Sequence, residues 1–248
     1  ENSLLNFYMP FSSQRQKHSS HYQKKKEKFT FFCPQRMGIP KGTDILWEAL
    51  QFCKSDFQIL QVDWRDTGTD EENSTSLRLR ENLPSQVKLI PMIKRKDIPG
   101  YYHSCDAVIG NLRIGSFEYV ELEAIMCKKP VISFNDKKIK IFLDDKEAES
   151  PFIPDTNNPK DIAQVIDKLV VSDQFRQNIF KKEYDFVQNI SDPKKAGEWW
   201  DSLFEKMIKE NPSINRKSSG ITVKLRMLSF LISNRLYFRK IKNYSRNA

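Results

Sequence analysis

FTFFCPQRMGIPKGTDILWEALQFCKSDFQILQV, residues 29–62, decides the fold. Phe29 to Cys33 is a short β-rich run. Thr43 to Cys53 then carries Ile45, Leu46, Ala49, Leu50 and Cys53 on one helical face, and Phe57 to Val62 is a second β-rich run. A strand, a period near 3.6 and another strand describe a crossover unit, which makes the paired strands parallel. The alternation continues outward. Ser74 to Asn82 reads as a helix, Val87 to Ile90 as a strand and Asp97 to Cys105 as a short helix. Ala107 to Gly110 follows as a strand, Tyr119 to Cys127 as a helix and Pro130 to Phe134 as an apolar strand. Right-handed crossovers turn this order into an α/β fold with a Rossmann-like, doubly wound parallel sheet.

Beyond Phe134 the chain is lysine-rich and reads as irregular until Asn158-Pro159, a helix start. Ile162, Val165, Ile166, Leu169 and Val170 mark an amphipathic helix there, and further C-terminal helices are expected over about 174–187 and 193–209. Trp199, Trp200 and Phe204 are expected to pack in the core or against another domain. Residues 1–28, with the run KKKEK, read as an arm or linker, and 29–209 as the folded domain. Residues 210–248 read as a basic tail, in which Ile221 to Lys242 is expected to be an amphipathic helix whose apolar side either rests on an anionic membrane surface or packs on a missing N-terminal domain.

Charge is distributed unevenly. The formal charge is +9, from 41 Lys and Arg against 32 Asp and Glu, and nine of the basic residues fall after Glu210 with no acidic residue among them. The other 32 basic residues match the 32 acidic ones, so the body is neutral. A neutral body without an aromatic and basic platform argues against nucleic acid as a partner. Cys33, Cys53, Cys105 and Cys127 have no metal-ligand spacing, and even His103 beside Cys105 reads as ordinary packing. No secretory signal or membrane-spanning run is seen, so a reduced, cytoplasmic protein is expected. The chain opens at Glu1 without Met and is read as a domain of a longer protein.

Ligands of open α/β sheets bind outside the carboxyl ends of the strands. After the first strand, CPQRMGIPKG sets Arg36 and Lys41 on a loop entering a helix, where two cations can hold a diphosphate. After the fourth strand, GNLRIGSFEYVELEAIMC brings Gly115, Ser116 and Phe117 to a helix N-terminus, whose free amides suit a phosphate. Glu123 lies further along that helix, where a carboxylate can accept ribose hydroxyls. The alternative for it is a solvated acidic face.

Read together, Arg36 to Lys41-Gly42 with TDILWEAL, VKLIPMIKRKDIPGYYHSCDAVIG, VELEAIMCKKPVISF and the segment from Asn158 to Val187 resemble the GT-B glycosyltransferases of family 4, glycosyl transferases group 1. The part they resemble is the C-terminal donor-binding domain, over about residues 29–209. The resemblance implies transfer of a sugar from a nucleoside-diphosphate sugar to an acceptor hydroxyl, with retention and without a metal or cofactor. It implies that Arg36 and Lys41 bind the donor diphosphate and act in catalysis. It further implies that Glu123 holds the ribose and that Met92 and Ile93 lie beside the base. A family Glu that touches the donor sugar corresponds here to Gly115, leaving backbone amides with Ser116 or Glu118 to serve the sugar. The acceptor domain is absent and is expected from a missing N-terminal domain or a partner chain. A lipid-linked acceptor would suit the basic tail, with the protein peripheral on the membrane. The rival reading is a non-catalytic nucleotide-binding or regulatory subunit.

Overall fold

The computed structural model describes residues 28–65, 68–143, 146–210 and 229–230. Five strands, β1 (Phe29–Cys33), β2 (Phe57–Val62), β3 (Val87–Ile90), β4 (Ala107–Ile109) and β5 (Val131–Ile132), form one parallel sheet in the order β3-β2-β1-β4-β5. The chain winds outward from β1 in both directions, so the switch point lies between β1 and β4.

Alternation along the strands explains why both faces are covered. In β1, Phe31 packs in a cluster with Ile45, Leu46 and Leu50 of α1 (Thr43–Leu50) and Ile162, Ile166 and Leu169 of α5 (Pro159–Val171). Its neighbour Phe32 points the other way, into a cluster with Tyr102 of α3 (Ile98–Ser104) and Leu122 and Ile125 of α4 (Tyr119–Met126). Val187 and Ile190 of α6 (Asp173–Ile190) close that second cluster. Successive side chains of a strand alternate faces, so an apolar run such as FTFFC is what a doubly covered strand requires.

Several boundaries differ from the expectation. Helix α1 stops at Leu50 rather than Cys53, because the Gln51 amide already turns back onto Glu48 and Ala49 and the amides of Lys54 and Ser55 bond the Asp167 carboxylate instead. Helix α2 (Asp70–Glu81) begins four residues before Ser74. Thr69 caps it by accepting the Glu72 amide at 3.1 Å, and three acidic residues in its first turn suit the helix dipole. Helix α6 likewise starts at Asp173, where Ser172 caps it through the Phe175 amide. Residues 134–157 are not wholly irregular: β6 (Ile141–Leu143) and β7 (Lys146–Ala148) pair antiparallel as a separate two-stranded sheet. At three residues each, these strands are too short to show a period.

The described residues fall into two compact units divided between Glu198 and Trp199, inside α7 (Pro193–Glu210). In the second unit Trp199 and Trp200 meet edge to face at 4.9 Å, and Phe204 lies 5.7 Å from Trp200. Trp200 and Phe204 are exposed, so of the two packing expectations the one that placed them in this chain's core fails for both. Of α7, only Ala196 in the first unit is buried. The expected arm lies outside the described residues apart from Lys28. So does the tail apart from Glu210 and residues 229–230, which are helical and exposed. No helix among the described residues is long and apolar enough to cross a membrane.

Candidate functional site

Two loops meet at the switch point. The loop after β1 ends in a short 3-10 turn, Ile39–Lys41, and Gly42 follows with a left-handed φ of 72°. A Cβ at Gly42 would lie 3.0 Å from the backbone of Leu112, so glycine lets the first loop press against the loop after β4. The Leu112 amide donates to the Lys41 carbonyl at 3.3 Å. Asn111 organises the second loop, its Oδ1 accepting the amides of Arg113 and Ile114 at 2.8 and 3.0 Å.

This contact carries Lys41 to the start of α4. Lys41 Nζ lies 2.6 Å from both carboxylate oxygens of Glu118, the N-cap residue of α4, and Asn111 Nδ2 donates to the same carboxylate at 2.9 Å. Beside it, Arg113 pairs with Asp44 of α1 at 2.5 Å. Arg36 takes a different place: its guanidinium stacks over the Trp64 ring at 5.7 Å, on the loop after β2.

Glu123 is buried, which excludes the solvated acidic face. Tyr102 donates to Glu123 Oε2 at 3.1 Å, and Arg95, from the segment after the carboxyl end of β3, makes a short ion pair with Oε1. Burial and the Glu123 carboxylate push the Tyr102 hydroxyl well above its usual pKa, so it remains a donor. Met92 is exposed just past β3, whereas Ile93 is partly buried against the core. The Phe117 ring packs 5.5 Å from both Phe152 and Phe186, and residues 115–117 precede Glu118, the N-cap of α4. Ser116 beside it is partly exposed.

Gly115 has φ of 81°, and a Cβ there would lie only 2.6 Å from the Cβ of Asp136 in the segment after β5. The Asp136 amide donates to the Gly115 carbonyl at 2.8 Å. A side chain at residue 115 is excluded by close packing, and Asp136 occupies its place.

One residue was underrated in the sequence. Glu121 is fully buried; its Oε1 accepts the Asn111 amide and the Ser133 hydroxyl, both at 2.9 Å, and its Oε2 accepts the Glu118 amide at 2.8 Å. It ties the segments after β4 and β5 to the start of α4, and burial raises its pKa. The carboxylate three residues after the N-cap, half of a capping box, was its one signal in sequence. Among the described residues no group of three or more His, Cys, Asp or Glu is placed to hold a metal ion; Cys105 is buried and His103 exposed.

The family described as glycosyl transferases group 1 matches residues 14–186, well over half of the chain. The chain belongs to the group 1 glycosyl transferases. Solved structures agree on the fold. Anabaena HepE in complex with UDP superposes with a TM-score of 0.61 at 20% identity, over 80% of this chain and 57% of that one. Sucrose-phosphate synthase from Thermosynechococcus elongatus gives 0.59 at 16%, over 85% and 51%. A glycosyltransferase from Rickettsia africae gives 0.53 at 21%, over 76% and 49%. This group 1 chain therefore has the Rossmann-like fold of GT-B enzymes and spans about half the length of these structures. No curated protein sequence matches it significantly.

Proposed function

We propose that this chain is the donor-binding half of a family 4-like glycosyltransferase, which moves a sugar from a nucleoside diphosphate to an acceptor hydroxyl with retention and without a metal. The observation that carries the reading is the meeting of Lys41 with the N-terminus of α4 at the switch point of the sheet. Lysine and the positive end of a helix together make a seat for an anion there. Negative charge grows on the diphosphate as the glycosidic bond breaks, so a fixed cation and amides stabilise the transition state more than the bound donor. Arg36 needs to leave Trp64 to add its fork to the same diphosphate. Glu123, already held by Tyr102 and Arg95, supplies the acceptor for ribose hydroxyls, and Met92 offers an exposed surface to the base.

The acceptor groups come from a domain or partner beyond this chain, and a lipid-linked acceptor with cytoplasmic, membrane-peripheral placement is part of the same proposal. The matched HepE structures hold UDP or UDP-glucose, which makes these the first probes. The test is turnover of a nucleotide sugar by the longest native protein. Donor hydrolysis or transfer that falls with Lys41→Ala supports the reading. Binding of nucleotide without any turnover supports the rival regulatory subunit, which the loss of a side chain at Gly115 favours.

A further inference from the structure

Glu118 is a carboxylate fixed at the position where an anion is expected. It caps α4, its carboxylate accepting the Glu121 amide in a capping box, so it stands before the positive end of the helix. Lys41 from the first loop and Asn111 from the second both donate to it, and the Lys41 and Glu118 side chains are only 19% and 30% exposed. Moving Glu118 aside breaks contacts to two separate loops. A phosphate that reaches Lys41 must therefore share the cation with this carboxylate at close range.

We propose that Glu118 is a specificity-determining residue that makes the site prefer a sugar-capped diphosphate to a free nucleoside diphosphate. The inference rests on the donor-site reading above. The two ligands differ at the phosphate nearest the reacting bond. Bonded to a sugar, that phosphate carries one negative charge; once freed it carries close to two at neutral pH, since its second pKa is about 6. The added charge is repelled by Glu118, and that repulsion offsets the attraction of Lys41, which is paired with the same carboxylate. The sugar-capped form avoids that repulsion, and its hydroxyls can donate to the lone pairs that Lys41, Asn111 and the Glu121 amide leave on the carboxylate. The result is a site that admits donor and expels the spent nucleotide.

The experiment is calorimetric titration of UDP and UDP-glucose into the full chain at low salt and neutral pH, as wild type, Glu118→Gln and Glu118→Ala, with thermal melts to establish folding. Removing the charge is expected to shift the affinity ratio toward UDP by about tenfold, the scale of one like-charge contact at intermediate dielectric. A shift of at least about threefold toward UDP in either folded variant supports the inference; a smaller shift, none, or one toward UDP-glucose overturns it. Lys41→Ala separates the two failures. If it weakens both ligands while the Glu118 variants keep the wild-type ratio, only this inference falls. If it binds both as wild type does, or wild type binds neither, the donor-site reading falls and takes the inference with it.

Discussion

Substituting Gly115 by alanine is expected to destabilise the domain, by an amount that follows from two separate terms. The residue sits at φ 81°, where a Cβ costs about 1–2 kcal/mol for an L-residue. The new atom would also lie 2.6 Å from the Asp136 Cβ and 3.1 Å from the Phe134 ring, well inside the normal carbon contact of about 3.5–4.0 Å. The Asp136 backbone is tied to the Gly115 carbonyl at 2.8 Å, so it cannot retreat freely, and overpacking of this kind costs about 1–3 kcal/mol. The terms together come to about 2–5 kcal/mol, or roughly 4–20 °C in Tm for a domain of this size. Thermal unfolding followed by circular dichroism measures it. In an Asp136→Gly background the 2.6 Å overlap disappears, so the cost should fall toward the strain of about 1–2 kcal/mol plus what the Phe134 contact adds. A Gly115→Ala variant melting with wild type, or a cost unchanged in that background, refutes the reasoning. The same geometry predicts that Gly115→Glu lowers stability instead of supplying the sugar-binding carboxylate that the resemblance implied for this position.

Glu121→Ala should cost about 2–4 kcal/mol by denaturant unfolding, because it leaves the buried amide of Asn111 and the amide of Glu118 short of an acceptor; a loss under about 1 kcal/mol contradicts this. Glu183 of α6 is wholly buried, accepts only the Val131 amide, and has its pKa pushed well above the usual value, by burial first and by the Glu121 charge as a lesser cause. A raised folded pKa means that its contribution is fully present below the unfolded pKa of about 4.5 and is lost as pH rises through the folded one. Stability of Glu183→Gln relative to wild type should therefore increase from acid to neutral pH; Glu121 titrates in the same sense in both proteins, and a difference independent of pH sinks the assignment. Burial pushes the Cys33, Cys53 and Cys127 thiols up to about 12, so none should react with a thiol reagent in the native protein on the timescale of its reaction with the unfolded chain.

How far the sequence carried the account depended on the reach of each interaction. Strands β1, β2 and β3 could be bounded from local pattern alone, since an apolar run between turn residues is a local property. Helix α4 was legible for the same reason. The hairpin β6–β7 was not, because strands of three residues carry no period. The site divides in the same way. Lys41 and Glu123 could be picked out from their place after a strand and inside a helix. Their partners could not: Lys41 meets Glu118 across 77 positions and Glu123 meets Arg95 across 28. The crowding at Gly115 comes from Asp136, on another strand's exit, and a lone glycine in a loop gives no sign of it. Glu121 was underrated because a carboxylate in a helix ordinarily faces water, and only the fold supplies the three donors that bury it.

The central claim is that the diphosphate sits at Lys41 and the ribose at Glu123, and calorimetry of uridine, UDP and 2′-deoxy-UDP on wild type, Lys41→Ala and Glu123→Gln tests it most directly. Each charge-assisted contact is worth about 1.5–3 kcal/mol, so Lys41→Ala should weaken UDP about tenfold or more while leaving uridine unchanged. Glu123→Gln, which keeps only a neutral acceptor, should shrink the advantage of UDP over 2′-deoxy-UDP. Wild-type affinity for UDP in both variants, or equal losses for uridine and UDP in Lys41→Ala, would contradict the account.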